Sequence, residues 1–289
     1  MTKKIEEEII ERTTSICTEK NKKEEIKIEN RINWSDNFII IERRYISKPY
    51  ASNILDEGEW NKLMHFQLMV NFNFGNTFVG RNDFKDYYPC GPKSYKNICK
   101  TLEDKGLIVQ ERLADRADKS NENKLTITKV LLAPLYDPET EARIPQNITK
   151  TSKSIDFMME HYAKVPKECL EEMLRDMKIS IDCKKLLILL YRFNEYKLFS
   201  GVDPNLIYRV GNEVHIHPRV EDSLQLSEYQ IKEMIGQLET GGYIYWNKVH
   251  IYEECFDMDR RLRVSTAIVE NSWEAEIVTP VYQWKGRVA

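Results

Sequence analysis

Residues 91–108 read GPKSYKNICKTLEDKGLI, and the fold turns on this stretch. At helical spacing Tyr95, Ile98, Cys99 and Leu102 fall on one side, three and four residues apart, as a buried stripe requires. Lys93, Lys96, Asn97 and Lys100 fall on the other side. Pro92 suits the first helical turn, where its missing N–H costs nothing. Gly106 suits the helix end, where a left-handed residue is often needed. Leu107, Ile108 and Val109 then read as the start of a strand. The stretch predicts a helix that presents a lysine row outward and leads straight into a strand.

Working outward on the C-terminal side, Leu107–Leu113 predicts one strand and Lys124–Leu132 a second, with Leu125, Ile127 and Val130 among its apolar members. The segment between them, ADRADKSNENK (114–124), is polar, turn-prone and long for a hairpin loop. Helix, strand, long polar tip and returning strand make the outline of a winged helix. Ser94 with LEDKGLI (102–108) resembles the recognition-helix end of bacterial winged-helix proteins. Upstream, LDEGEW (55–60) followed by an apolar helix resembles the approach to the first helix of that module. The resemblance covers about Leu55 to Leu132 and is to the superfamily, which is common in plasmid and phage replication initiators and in regulators. The run NDFKDYYPCGPKS (82–94) departs from the usual polar sequence there, so the turn before the helix is expected to be unusual.

The resemblance implies a protein that binds double-stranded DNA, and the residue types can be given roles. Asn97 can make bidentate bonds to an adenine in the major groove, as amide side chains do. Lys93, Lys96 and Lys100 would meet phosphates or guanine edges. Ser94 would cap the helix or touch a phosphate. Arg116 at the wing tip would enter a minor groove, with Lys119 and Lys124 on the wing beside it. Arg43 and Arg44 follow the predicted strand Phe38–Ile41 and either meet phosphate or form a solvated strand end. The bland alternative for the lysine row is a solvated helix face. Charge distribution weighs against it. Arg81–Lys129 holds eleven Lys or Arg and eight Asp or Glu, a local +3 in a chain of net −3, which leaves −6 elsewhere. DNA contact must therefore come from a local patch.

At 289 residues the chain is long enough for two ordinary domains, and 42% apolar residues suffice for buried cores. The six cysteines form no CxxC pair, which favours a reduced, cytoplasmic setting over a disulfide framework. MTKKIEEEIIERTT has no apolar signal core, and the longest apolar run, Leu186–Tyr191, is far too short to span a bilayer. No phosphate loop, HExxH or Gly-x-Ser-x-Gly is present, and no enzyme activity or cofactor is expected. Asp257 and Asp259 are the only hint of a metal-dependent nuclease. His215 and His217, two apart on a predicted strand, have no matching Cys/His pair, so no metal is expected. His65, beside Trp60, Leu63, Met64, Leu68 and Phe72, reads as structural.

Four segments follow: a charged arm (1–32), a winged-helix DNA-binding domain (33–133), a Pro-rich linker (134–154) and a second domain (155–289). In the second, Cys183–Phe199 is apolar around much of its girth, as in a buried helix. LSEYQIKEMIGQLETGGYIY (226–245) repeats the organising pattern, with Ile231, Met234, Ile235 and Leu238 as the stripe. Its outer face is acidic at Glu228, Glu233 and Glu239, which suits protein contacts or dimerisation better than phosphate. Val249–Tyr252 is expected to return as a partner of Tyr243–Tyr245, leaving almost no wing. Arg260, Arg261 and Arg263 are either a phosphate clamp or a solvated cluster. The expected fold is mainly α with small β-sheets, as two tandem winged-helix-like domains. The expected function is a dimeric replication initiator of a plasmid or phage element, with a transcriptional regulator or an interaction scaffold as alternatives.

Overall fold

The computed structural model describes residues 38–47, 54–69, 77–113, 125–131, 133–136, 141, 143–144, 162–195, 201–256 and 259–281. The arm (1–32), the polar tip with Arg116, Lys119 and Lys124, and Asp257 and Trp284 lie outside them. The chain divides into two compact units at Arg192/Phe193.

The first unit opens on β1 (Phe38–Glu42), whose five residues are all buried. A 3-10 turn (Arg43–Tyr45) follows it. Helix α1 (Glu57–Gln67) starts at a capping box: Asp56 accepts from the Glu59 N–H at 2.7 Å and Glu59 accepts from the Asp56 N–H at 3.0 Å. Strand β2 (Thr77–Val79), helix α2 (Arg81–Tyr87) and helix α3 (Pro92–Asp104) come next. Then come β3 (Ile108–Leu113) and β4 (Leu125–Val130), which pair antiparallel from Ile108↔Val130 to Leu113↔Leu125. The small sheet has the order β2-β4-β3. Three rings bind the helices together: Phe66 of α1 stacks on Phe84 of α2 at 4.1 Å, and Tyr95 of α3 lies 5.5 Å from Phe84. Trp60, 1% exposed, donates from its indole Nε1 to the Tyr45 carbonyl at 2.7 Å and ties α1 to the turn after β1.

The segment read as a linker departs from that expectation at its start. Leu135 donates its N–H to the Gly106 carbonyl, Ile144 donates to the Leu135 carbonyl, and Ala133 and Ile144 are buried. Gly106 takes φ 67°, and Leu135 Cβ would stand 3.4 Å from any Cβ there. Strand β5 (Tyr162–Pro166) then pairs antiparallel with β1, from Glu42↔Tyr162 to Phe38↔Pro166. Helices α4 (Lys167–Arg175) and α5 (Ile181–Phe193) complete the unit, with every residue from Cys183 to Tyr191 buried. Residues 162–192 thus belong with the first half of the chain, because β5 supplies the partner that β1 needs for its ladder.

The second unit overturns the expectation of a mainly α chain of two tandem winged-helix-like domains. It contains β6 (Asn194–Glu195), β7 (Gly201–Val202), β8 (Ile207–Val210), β9 (Glu213–Ile216), α6 (Pro218–Leu224), α7 (Glu228–Thr240), β10 (Ile244–Phe256), β11 (Asp259–Ser265) and β12 (Trp273–Pro280). Five of these strands form an antiparallel sheet in the order β11-β10-β12-β8-β9, so the chain as a whole is α+β. The expected short hairpin within 243–252 is one continuous strand. β10 pairs with β12 over Ile244–Ile251 and with β11 over His250–Phe256. Asn247 lies between the two segments expected to be separate strands. Inside the sheet its Nδ2 donates to Thr279 Oγ1 at 2.9 Å, which removes the cost of a polar residue in mid-strand. Val249, Ile251, Val264, Ala275 and Ile277 make the core of this sheet, with Trp273 packed against it.

Two side chains occupy backbone positions on outer strands. Glu103, near the end of α3, accepts the N–H of Gln110 on β3 at 2.7 Å. Asn205 grips Leu262 of β11: its Oδ1 accepts the Leu262 N–H at 2.7 Å and its Nδ2 donates to the Leu262 carbonyl at 3.0 Å. No helix among the described residues is long and apolar enough to cross a membrane.

Candidate nucleic-acid interface

Helix α3 is built as its sequence predicts. Pro92 occupies the first turn, and Tyr95, Ile98, Cys99 and Leu102 are buried. The buried face is fixed by more than apolar area. The Tyr95 hydroxyl shares a 2.8 Å hydrogen bond with Thr128 Oγ1, and the Cys99 thiol lies 3.6 Å from the same oxygen. Burial pushes the Tyr95 phenol well above its ordinary value, so it stays protonated at any physiological pH. Helix α3 is thereby pinned to β4, the central strand of the small sheet.

The other face carries the residues singled out from sequence. Lys93, Ser94, Lys96, Asn97 and Lys100 are all exposed. Among the described residues none of the three lysines has an ion-pair or hydrogen-bond partner. The first turn of the helix contains no acidic residue, and its N-cap Gly91 offers no side-chain bond. Of the two acids in the last turn, Glu103 holds the Gln110 N–H, while Asp104, four residues after Lys100, is exposed; Lys105 just beyond the helix donates to Glu59 and to the Ile54 carbonyl. The outward face thus carries three lysines and one amide, Asn97, with the Asp104 carboxylate at its C-terminal end.

A cleft of about 530 Å³ opens between this face and the N-terminal half of α1. Lys93, Ser94, Asn97 and Thr101 line it from α3, and Asp56, Glu59 and Lys62 from the α1 side. Sequence reading missed the second group. In the sequence Asp56 and Glu59 read only as part of a helix start, and Lys62 as an isolated lysine. The available signal was that Lys62 lies off the Trp60–Leu63–Met64 stripe of α1, on the side left free for solvent.

Arg43 and Arg44 sit in the 3-10 turn of the same unit. Arg44 is engaged: its Nη1 lies 2.6 Å from Glu42 Oε1, and its N–H donates to Glu42 Oε2 at 2.7 Å. Glu42 is 1% exposed. Burial pushes its carboxyl above the ordinary value, and the Arg44 guanidinium offsets only part of the shift. A carboxyl raised on folding contributes stability that is present below its unfolded value and is lost as pH rises through the folded one. Glu42→Gln, which mimics the protonated form, is therefore expected to gain stability relative to the unsubstituted protein as pH rises above the ordinary carboxyl value of 4.5. Urea unfolding at a series of pH values checks this, and a difference that shrinks or stays flat contradicts it.

The remaining sequence candidates have structural work. His65 is buried and its Nδ1 lies 2.7 Å from the Asn61 carbonyl, with its ring edge-on to Tyr88. Burial lowers its pKa and keeps it neutral. His215 stacks on Tyr208, while His217 Nδ1 accepts the Arg219 N–H and caps α6. No group of three or more His, Cys, Asp or Glu among the described residues could hold a metal ion. Arg263 pairs with Glu254 at 2.7 Å, and Arg260 with Glu253 at 3.7 Å, so that cluster is largely balanced by its neighbouring strand. On α7, Glu228 pairs with Lys232 and Glu239 with Arg209, while Tyr229 is 70% exposed. Compared with known proteins, the chain matches no family model, no curated protein and no solved structure.

Proposed function

We propose that the unit Phe38–Arg192 reads double-stranded DNA, with α3 lying in the major groove. The observation that carries this reading is the outward face of α3, where Lys93, Lys96 and Lys100 stand exposed around Asn97 with no partner among the described residues. Helix, strand, two helices and a strand pair, with β4 central in the sheet, is also the succession that the winged-helix resemblance calls for. The lysines supply affinity by displacing counterions from phosphates, without regard to sequence. Asn97 supplies selectivity, because its carboxamide matches the N6 and N7 edge of adenine. In this reading the chain acts as a dimer on repeated or palindromic half-sites, with spacing fixed by its symmetry. It serves as the replication initiator of a plasmid or phage element, the role the resemblance implies.

The experiment is selection of bound fragments from random and host-element DNA at two salt concentrations. An enriched repeated motif is expected, and its position beside an origin or a promoter separates an initiator from a regulator. Asn97→Ala is expected to relax preference at one base position, by about 1–3 kcal/mol of lost discrimination, while leaving the salt dependence unchanged. Absence of binding even at low salt would make the lysine row a solvated face and leave an interaction scaffold as the better reading.

A further inference from the structure

We infer that the cleft between α1 and α3 seats a backbone phosphate of the bound duplex, with Lys62 as a DNA contact supplied by α1. This inference rests on the DNA reading of α3 and extends its surface to a second helix. The cleft is lined by two ammonium groups, those of Lys62 and Lys93, and by the Ser94 hydroxyl and the Asn97 amide. Neither lysine has an ion-pair or hydrogen-bond partner among the described residues. The two carboxylates in the same cleft are already engaged. Glu59 is held by Lys105 and by the Asp56 N–H, and Asp56 accepts the Glu59 N–H as the helix cap. Lys105 balances Glu59 while the Asp56 cap keeps its charge, so the two ammonium groups leave a single net positive charge at the cleft.

A phosphodiester fits that chemistry better than a free organic ligand does. Polar groups line both walls, those of α3 continuous with the lysine row that ends at Lys100, and the apolar lining is only Ile98 and Leu102. A strand whose bases meet Asn97 carries its phosphates past Lys93, and the cleft runs along α3 from Lys93 to Leu102. Lys62 then closes on the phosphate from the opposite wall. Its contact is indifferent to base sequence, in contrast to that of Asn97.

The test is DNA binding by the full chain over a salt series, with Lys62→Ala and Lys96→Ala compared with the unsubstituted protein. Lys62→Ala is expected to weaken all sequences alike by about three- to tenfold and to lower the slope of log affinity against log salt by about one. Far-UV circular dichroism and the melting temperature serve as the folding control and should not move. If Lys62→Ala leaves affinity and slope unchanged while Lys96→Ala weakens binding, the cleft inference fails and the reading of α3 stands. If the unsubstituted protein binds no DNA, both fall together. Inorganic phosphate or pyrophosphate that raises the melting temperature in a Lys62-dependent way, with no effect of Lys62→Ala on DNA, would assign the cleft to a free anion and overturn the inference.

Discussion

Replacing Trp60 with alanine is expected to destabilise the protein by about 4 kcal/mol, within the range of about 3–5 kcal/mol typical for removing a buried large aromatic. Three losses combine. The side chain is 1% exposed, so its removal leaves a cavity in an interior that packs like a crystal. The indole N–H no longer reaches the Tyr45 carbonyl, and that buried acceptor loses the partner it has at 2.7 Å. The ring also lies 6.0 Å from the ammonium of Lys185, a lysine only 7% exposed, so a cation loses its aromatic neighbour. Trp60→Phe keeps most of the area but not the hydrogen bond, and about 1–2 kcal/mol is expected. Guanidinium unfolding followed by far-UV circular dichroism measures both. A cost below about 1 kcal/mol for the alanine variant would show that Trp60 does not anchor α1.

Reversing charge on α3 is expected to have the largest effect on function. In Lys96→Glu/Lys100→Glu each substitution removes a cation and places an anion opposite a phosphate. Each phosphate contact contributes about 0.9 to the salt slope, so the slope is expected to fall by about two and affinity by about 100-fold or more at moderate salt. Stability is expected to stay within about 0.5 kcal/mol, because both side chains are exposed and unpaired among the described residues. Fluorescence anisotropy with a fragment from the selection measures the first quantity, and thermal melting the second. Retained affinity with an unchanged melt would remove α3 from the interface.

The organising stretch was legible because its determinants are local. Pro92, the Tyr95–Leu102 stripe and Gly106 lie within sixteen residues of one another, and each constrains only its own turn of backbone. The exposed residues of α3 followed directly from that periodicity. Non-local pairing was not legible. Tyr162–Pro166 reads as an unremarkable YAKVP until its partner Phe38–Glu42, more than a hundred residues away, is known. The domain boundary moved for that reason. The length of β10 was hidden at Asn247, whose side chain bonds Thr279, a residue of a later strand. Lys62 escaped notice for the same kind of reason: its neighbours Lys93 and Asn97 come from another helix.

The side chains of Glu103 and Asn205 bear on how copies of this protein can meet. A sheet edge with free N–H and C=O groups is a template on which another chain can add a strand. At Gln110 a carboxylate already holds the N–H, and at Leu262 a carboxamide holds both backbone groups as a neighbouring strand would. An incoming strand would have to displace these bonds before gaining its own. Runaway strand addition is thereby opposed at both places without proline and without shortening the strand. Copies of this chain that meet are then biased towards contact through side-chain faces rather than through these strand edges.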